Sequence, residues 1–271
     1  MTEAVEGLPV VEPRETDFVQ SFQRGLAVIR AFDADHPALT LSEVARATGL
    51  ARAAARRFLL TLVELGYMRV EDRRFALTPR VLELGHAYLS SLSLPEIAVP
   101  YLREFVSEVR ESSSLCVLDE HHIVYVGRVP ANRIMSVSIS VGTRFPAFAT
   151  STGRVLLAGQ SEEWLRTYLE TAELRPITSR TISTPERLEA EIERVRKQGW
   201  AMINQELEEG VRSAAVPIRD GNNGVAAALN VSVHATRMSM QALRRQVVPR
   251  LLRTAVASEV DLRAAGGGNT A

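Results

Sequence analysis

The sequence predicts an α+β protein whose two parts are built differently. In the first part, three apolar patterns of helical period are followed by two short runs of strand period. In the second part, several strand-like runs lie between helical patterns, which indicates a mixed sheet packed with helices. A length of 271 residues is sufficient for two domains, each with its own hydrophobic core.

Three helices are predicted in the first part. Apolar residues at helical spacing predict a first helix over about residues 18–33. Thr40 and Glu43 have the spacing of a capping box, which predicts a second, short helix that ends at Gly49. A third helix is expected over residues 51–65. The apolar faces of the first and third helices are predicted to be Phe18, Phe22, Leu26, Ile29, Ala54, Ala55, Phe58, Leu62 and Leu65.

Two short strands and a linker helix complete the first part. Residues 67–70 and 74–77 are predicted strands around a polar turn. A threonine cap followed by proline at the first helical position predicts a linker helix over residues 79–94. The apolar face of this linker is Val81, Leu84, Tyr88 and Leu92. Residues 1–17 are acidic and without periodicity, which predicts a disordered arm.

The order helix, short helix, turn, helix and two-stranded wing is typical of a DNA-binding winged helix-turn-helix, here residues 18–78. The start of the third helix then lies in the major groove, where arginine can pair with guanine edges or phosphates. Residues 20–80 carry ten arginines and six acidic residues. The candidate DNA-contacting residues are Arg52, Ala53, Arg56 and Arg57 on the third helix, and Arg73 and Arg74 at the wing tip. The alternative is a solubilising arginine face on helices that only contact other proteins.

The second part, residues 95–263, alternates predicted strands and helices. It begins with a helix over residues 95–110 and ends with one over about 240–262, before a flexible glycine-rich tail at 264–271. The predicted strands are residues 114–119, 122–129, 134–141, 200–204, 212–218 and 225–233. The predicted intervening helices begin at Thr150, at Ser161 and at Thr184-Pro185, and the last of them ends at Gly199.

Three segments of the first part resemble a known family. They are Leu41-Ser42-Glu43-Val44-Ala45, Thr48-Gly49-Leu50 and Leu62-Val63-Glu64-Leu65-Gly66-Tyr67. Through them the chain resembles the IclR family of bacterial transcription regulators over about residues 18–257. The resemblance implies a regulator that binds a double-stranded DNA operator as a homodimer, or as a dimer of dimers. Ala53-Ala54-Ala55 departs from the family, whose members usually carry Ser or Thr there, so the arginines are expected to supply the phosphate contacts.

Segments of the second part resemble one branch of that family, the regulators of the β-ketoadipate pathway. These segments are residues 133–137, 141–144, 146–147, 150–158, 212–217 and 228–232. The resemblance implies a GAF-like domain over residues 95–263 that binds a small organic or aromatic acid as effector. The effectors of that branch are aromatic acids such as protocatechuate and 4-hydroxybenzoate, or pathway acids such as β-ketoadipate. The expected function is therefore effector-dependent regulation of aromatic-acid catabolism.

The resemblance also places a set of residues around the effector. The expected lining residues are Ile134, Val137, Ser151, Thr152, Ile203, Ser213, Asn230 and Ser232. Hydroxyl and amide groups at a helix N-terminus can bind a carboxylate, while apolar side chains pack on a ring. Ile203 stands where other family members place an acidic residue, which favours a more apolar ligand. Arg133 and Arg144 could pair with an anionic effector, or could equally be surface or interface cations.

Other classes of protein have little support in the sequence. GxSxG, GxxxxGK[ST] and HExxH motifs are absent and Cys116 is the only cysteine, so no enzyme, metal site or cofactor is predicted. The alternatives are an IclR-type regulator of a different small-molecule pathway, an enzyme in the second part, or a module that uses its helix-turn-helix for protein contacts. Glu206, Glu208 and Glu209 are expected in an exposed loop.

No apolar run reaches the ~20 residues that span a bilayer, and no signal-peptide pattern is visible, so a cytoplasmic location is expected.

Overall fold

The computed structural model describes residues 18–91, 93–131 and 139–266. These residues form two compact units that divide after Tyr88. The predicted acidic arm, the end of the predicted tail and most of the third predicted strand of the second part lie outside the described residues. The α+β class is confirmed, because the first unit combines helices with a small sheet and the second combines helices with a larger one.

The N-terminal unit has the predicted order of a winged helix-turn-helix. Its elements are α1 (Gln20–Arg30), β1 (Leu39–Thr40), α2 (Leu41–Thr48), α3 (Arg52–Glu64), β2 (Met68–Glu71), β3 (Arg74–Leu77), a 3₁₀ turn (Pro79–Val81) and α4 (Leu82–Ser91). The three strands pair antiparallel in the order β1-β3-β2. The predicted linker helix is therefore a 3₁₀ turn followed by α4, and the next helix already begins at Ser93.

Local hydrogen bonds explain where α2 begins and ends. The Thr40 hydroxyl accepts a hydrogen bond from the Glu43 backbone N–H at 3.3 Å, and the Glu43 carboxylate accepts one from the Thr40 backbone N–H at 2.7 Å. This capping box satisfies N–H groups that have no partner within the helix. At the other end, Gly49 has a left-handed φ of 67°, which favours glycine and ends the helix as predicted.

The core of the N-terminal unit differs in part from the predicted apolar faces. Phe22 is 68% exposed, and Phe18 and Leu26 are also exposed, because only the C-terminal half of α1 packs into this core. In α3, Leu59 is buried while Leu65, at the C-cap, is exposed. The buried core residues are Val28, Phe32, Leu39, Val44, Leu59, Leu62, Met68 and Phe75.

The C-terminal unit contains a six-stranded sheet. Its strands are β4 (Ser112–Asp119), β5 (His122–Val129), β6 (Arg144–Pro146), β7 (Ala201–Asn204), β8 (Val211–Arg219) and β9 (Val225–His234), in the order β6-β5-β4-β9-β8-β7. Its helical elements are α5 (Ser93–Val109), a 3₁₀ turn (Ala147–Ala149), α6 (Ser151–Ala158), α7 (Glu162–Thr171), α8 (Pro185–Gln198), α9 (Met240–Ala242), a π-helical turn (Leu243–Val247) and α10 (Val248–Gly266).

Three details of this unit correct the sequence prediction. The predicted mixed sheet is wrong, because every strand pairing among the described residues is antiparallel. Most neighbouring strands are consecutive in the chain, and such strands can pair antiparallel without the crossover that a parallel pair needs. Residues 139–141 belong to no strand, and β6 forms the sheet edge instead. Residues 264–266 of the predicted tail are helical, because α10 continues to Gly266.

Each face of the larger sheet has its own core. On one face, α5 and α10 pack against fully buried residues such as Leu115 and Leu229. On the other face, α6 packs against Cys116 and Ala228. Side chains alternate between the faces along a strand, so Asn230 lies on the same face as Ala228. Polar residues of β9 are thereby directed to the α6 side of the sheet.

Candidate functional site

The exposed surface of α3 carries arginines without ion-pair partners. Arg52, Arg56 and Arg57 are exposed, and none of them forms an ion pair within the described part of the chain. Ala53 is exposed beside them at the start of the helix. The N-cap residue of α3 is Ala51, which has no side-chain oxygen to cap the first turn. The free N–H groups of that turn and the arginines together favour an anionic partner such as phosphate.

The wing between β2 and β3 adds an exposed arginine that forms no ion pair with the described residues. Asp72 and Arg73 have left-handed φ values of 48° and 62°, as expected in a tight two-residue hairpin turn. Arg73 is exposed at this tip. Arg74 instead donates a hydrogen bond to the Ala38 carbonyl at 3.1 Å and lies 3.6 Å from the Glu43 carboxylate. Arg74 therefore contributes to the unit's own structure, whereas Arg73 is available to a partner.

A cavity of about 340 Å³ lies in the C-terminal unit, between the sheet, the start of α6 and the loops that follow α7 and β7. Six of the predicted effector residues line it: Ser151, Thr152, Ile203, Ser213, Asn230 and Ser232. The lining residues that the sequence did not indicate are Tyr125, Ile139, Phe145, Pro146, Thr150, Ile177, Leu207, Glu208 and Val211. Many of these come from loops, whose paths leave no periodic signal in the sequence.

Polar groups of the cavity lie near the start of α6 and along β9. The hydroxyl oxygens of Ser151 and Ser213 are 2.7 Å apart and form a hydrogen bond. The Asn230 side-chain N–H donates to the Ser232 hydroxyl over a long 3.4 Å. The Asn230 side-chain oxygen is buried and accepts no hydrogen bond from the described residues. A buried polar atom without a partner costs free energy, so Asn230 favours a ligand that would complete its hydrogen bonding.

The rest of the lining is mainly apolar. The ring of Phe145 packs edge-on against that of Tyr125, with centroids 5.9 Å apart and planes at 84°. Burial raises the pKa of Tyr125, so this side chain is neutral at physiological pH. Ile139 and Ile203 add aliphatic surface. Apolar walls with a few clustered polar groups are typical of sites that bind small organic molecules.

The other four predicted effector residues are Arg133, Ile134, Val137 and Arg144, and only Arg144 belongs to the described part of the chain. Arg133, Ile134 and Val137 lie outside the described residues. Arg144 is exposed, and its guanidinium group forms an ion pair with the carboxylate of Asp119. Arg144 is therefore not part of the candidate site, because its charge is already matched on the surface.

A buried ion pair holds the loop that closes one side of the cavity. Arg154 of α6 is 1% exposed and donates a hydrogen bond to the Glu206 carboxylate at 3.0 Å. That carboxylate also accepts from the Ile182 backbone N–H at 3.2 Å, and the Glu206 carbonyl accepts from the Thr181 hydroxyl at 2.6 Å. The prediction of an exposed loop is wrong for Glu206, because Arg154 matches its charge inside the protein. The next two residues of the chain line the cavity.

The described residues contain no clustered metal ligands and no activated thiol. Among the described residues, no three or more His, Cys, Asp or Glu side chains are grouped as metal ligands. Cys116 is buried, and burial raises the pKa of its thiol, which keeps it protonated. In the described ranges, no helix combines the length and apolar character needed to cross a membrane. The lining of the cavity offers hydrogen-bonding groups and apolar surface to a ligand.

A winged helix-turn-helix with exposed arginines and a domain with a ligand-sized cavity define a class, the ligand-responsive transcription regulators. Comparison with known proteins agrees with this class. Residues 21–72 match the IclR helix-turn-helix domain, and residues 86–260 match the family described as bacterial transcriptional regulator IclR C-terminal. The chain belongs to the IclR family of bacterial transcriptional regulators.

Curated relatives of the chain are regulators rather than enzymes. The chain is 46% identical over 239 residues to the Pca regulon regulatory protein of Pseudomonas putida, covering 88% of this chain and 82% of that protein. It is 36% identical over 249 residues to the p-hydroxybenzoate hydroxylase transcriptional activator of Acinetobacter baylyi, covering 90% of this chain and 92% of that protein. The chain is accordingly a transcription regulator rather than an enzyme.

Solved structures share the fold. A transcriptional regulator from Rhodococcus sp. RHA1 is 54% identical with a TM-score of 0.81, covering 90% of this chain and 98% of that one. An IclR homolog from Microbacterium hydrocarbonoxydans, complexed with 4-hydroxybenzoate, is 27% identical with a TM-score of 0.79, covering 90% of this chain and 99% of that one. A double mutant of the PobR inducer binding domain from Acinetobacter, complexed with 3-hydroxybenzoic acid, is 32% identical with a TM-score of 0.57, covering 61% of this chain and 97% of that one.

Proposed function

We propose that this protein regulates genes of aromatic-acid catabolism, and that its effector is a small aromatic carboxylate bound in the cavity of the C-terminal unit. Relatives named for the Pca regulon and for p-hydroxybenzoate hydroxylase support the pathway. Structural neighbours that hold 4-hydroxybenzoate and 3-hydroxybenzoic acid support the effector class. The observation that carries the proposal is the cavity, which combines apolar walls with clustered polar groups.

A hydroxylated aromatic acid needs an apolar surface for its ring and polar groups for its carboxylate and hydroxyl. Phe145 and Ile203 offer apolar area against which a ring can pack. Ser151 with Ser213 on one side, and Asn230 on another, offer hydrogen bonds to a carboxylate or a phenolic hydroxyl. The cavity volume of about 340 Å³ is at the small end of ligand pockets, which span roughly 300–1,000 Å³. A single-ring acid is therefore favoured over a larger molecule.

Operator binding is assigned to α3 and the wing. Arg52, Arg56 and Arg57 are exposed at the end of α3 that enters the major groove in this fold, where they would contact base edges or phosphates. Arg73 would contact phosphate at the wing tip. Arg74 would act indirectly by holding β3 in place, because its side chain binds a backbone carbonyl of the same unit.

A homodimer would present two copies of α3 to two half-sites of an operator. Exposed apolar side chains, which mark interaction surfaces when they form a patch, support pairing through the N-terminal unit. They include Phe22 on α1 and Leu84 and Tyr88 on α4, whereas Leu92 lies outside the described residues. In this scheme residues 18–78 bind DNA, residues 79–94 take part in pairing, and residues 95–263 bind the effector.

Thermal-shift measurements on the full-length protein test the effector class. A ligand that binds only the native state raises the melting temperature, and the rise increases with the logarithm of ligand concentration relative to Kd. We expect 4-hydroxybenzoate and protocatechuate to raise it, and hexanoate, which lacks the ring, to raise it less. A response to β-ketoadipate alone would identify a pathway acid instead. The effector class is wrong if none of these acids changes the melting temperature.

A further inference from the structure

A polar row crosses the sheet beside the cavity. In the register of the sheet, Arg128 of β5 lies opposite Ser114 of β4, and Ser114 lies opposite Asn230 of β9. Directly paired residues share a face of a sheet, so Arg128 lies on the face that bears the cavity. Neighbouring strands are about 4.8 Å apart, which puts the backbones of Arg128 and Asn230 about 10 Å apart. Arg128 does not itself line the cavity, but Asn230 and its near neighbour Tyr125 do, and the long side chain of arginine can extend over most of the distance to Asn230.

Arg128 is a partly buried cation that has no counter-ion among the described residues. Within the described ranges, its side chain forms no ion pair or hydrogen bond. Burial lowers the pKa of Arg128, while Tyr125 and Cys116 on the same face act in the opposite direction. Arginine nevertheless stays protonated in proteins, so a positive charge persists at this position. A charge removed from water without a partner is costly, and an anion would relieve that cost.

Asn230 can complete the same site. Its amide group now donates weakly to Ser232, while its buried oxygen accepts nothing from the described residues. A half-turn of the amide about its terminal side-chain bond exchanges the nitrogen and the oxygen. The Ser232 hydroxyl would then donate to the Asn230 oxygen, and the Asn230 N–H groups would be directed to a ligand. An anion in the cavity would stabilise this second orientation.

We propose that Arg128 and Asn230 bind the carboxylate of the effector. Arg128 supplies the positive charge and paired N–H donors, and Asn230 supplies a further donor. The inference rests on the proposed function, because it assumes an acid in this cavity. The competing arrangement places the carboxylate at the start of α6, beside Ser151 and Ser213. The two arrangements differ in which residue distinguishes an acid from its neutral amide.

Isothermal titration calorimetry of the full-length protein with 4-hydroxybenzoate and with 4-hydroxybenzamide separates these arrangements. Wild type is expected to prefer the acid. Arg128→Met should weaken acid binding by about ten- to a hundredfold, the range of a lost charge-assisted hydrogen bond, and leave amide binding unchanged. Arg128→Lys keeps the charge but not the paired donors and should retain part of the preference. Arg103→Met, at an exposed arginine of α5, is the matched control and should behave as wild type.

Each other outcome has a distinct meaning. If Arg128→Met keeps the wild-type preference for the acid, the inference is overturned, and the carboxylate is more consistent with a position at the start of α6. Equal loss of both ligands would overturn it too, because Arg128 would then be needed for the structure of the cavity. Wild-type protein that binds acid and amide equally would refute charge recognition while leaving the aromatic effector class intact. Wild-type protein that binds neither would refute the proposed function itself.

Discussion

The two units use arginine in opposite ways. In the N-terminal unit, Arg52, Arg56 and Arg57 are exposed on α3 and form no ion pairs with the described residues. In the C-terminal unit, Arg154 is 1% exposed and is bound to Glu206. A charge that is removed from water must be matched inside the protein, whereas an exposed charge needs no internal partner. The exposed arginines can therefore contact an anionic partner, and the buried one pairs with a carboxylate of the loop that lines the cavity.

This contrast predicts different responses to salt. DNA binding by exposed cations releases counterions from the phosphates and weakens steeply as salt concentration rises. Interactions inside a cavity are screened much less than those on the surface. Effector affinity is therefore expected to change little over a range of salt that strongly weakens DNA binding.

The largest expected effect comes from the buried cation. Arg154→Met would leave the Glu206 carboxylate buried without its partner, and breaking a buried pair in this way costs about 3–5 kcal/mol. We expect the free energy of unfolding of the C-terminal unit to fall by that amount in chemical denaturation. Arg175→Met, which removes the exposed partner of Glu173, should leave it nearly unchanged. Similar small effects of both variants would show that the buried pair does not hold the loop.

The next effect concerns DNA. Arg56→Ala should weaken operator binding by about 1–3 kcal/mol, the usual cost of a lost base contact, without changing effector affinity. Fluorescence anisotropy with a labelled operator duplex and calorimetry with the effector measure the two affinities. Arg103→Ala, at an exposed arginine of α5, is the control and should change neither. Equal loss of DNA and effector binding would contradict the division of labour between the units.

Ser151→Leu should act on the other unit alone. The larger side chain fills part of the cavity and removes the hydrogen bond to Ser213. Overpacking a buried site costs about 1–3 kcal/mol, and a cost of that size on binding would lower effector affinity by about 5- to 150-fold. DNA binding without effector should persist. Ser107→Leu on the exposed face of α5 is the control, and wild-type effector affinity in Ser151→Leu would place the binding site elsewhere.

The smallest effect concerns the cap of α2. Thr40→Ala should lower the stability of the N-terminal unit by about 0.5–2 kcal/mol through loss of the capping box.

Hydrogen bonds from the Thr40 backbone and hydroxyl lower the pKa of Glu43 in the folded protein. The stability from this carboxylate is therefore present above its unfolded-state pKa and is lost as pH falls through the lowered folded-state value. Denaturation at neutral and acidic pH should show a greater loss on acidification for wild type than for Thr40→Ala. Identical pH dependence would contradict this role of the cap.

Helix ends that depend on local chemistry agree with the sequence prediction. Thr40 and Ser161 cap α2 and α7 with their side chains, and Gly49 and Gly199 end α2 and α8 in left-handed conformations. These features involve residues only a few positions apart, so the sequence contains the whole interaction. Thr184 precedes α8 as predicted, although its side chain makes no cap hydrogen bond.

Features that depend on distant partners were not predictable. Glu206 is buried because of Arg154, which is 52 positions away in the chain. Arg128 gave no signal in the sequence, because its neighbours Ser114 and Asn230 belong to other strands. The lining residues that were anticipated came from the family resemblance, which carries three-dimensional information that periodicity lacks. The lining residues that come from loops were indicated neither by periodicity nor by the resemblance.

DNA binding by α3 and its control by a ligand in the cavity can be tested in one titration. Fluorescence anisotropy would measure Kd for the duplex upstream of the gene and for a scrambled duplex of equal composition, each with and without 4-hydroxybenzoate. We predict tighter binding of the upstream duplex, and a change of about 5- to 150-fold in its Kd when the acid is added, as expected for a coupling of ~1–3 kcal/mol. Equal affinity for both duplexes, with no response to the acid, would contradict both functions.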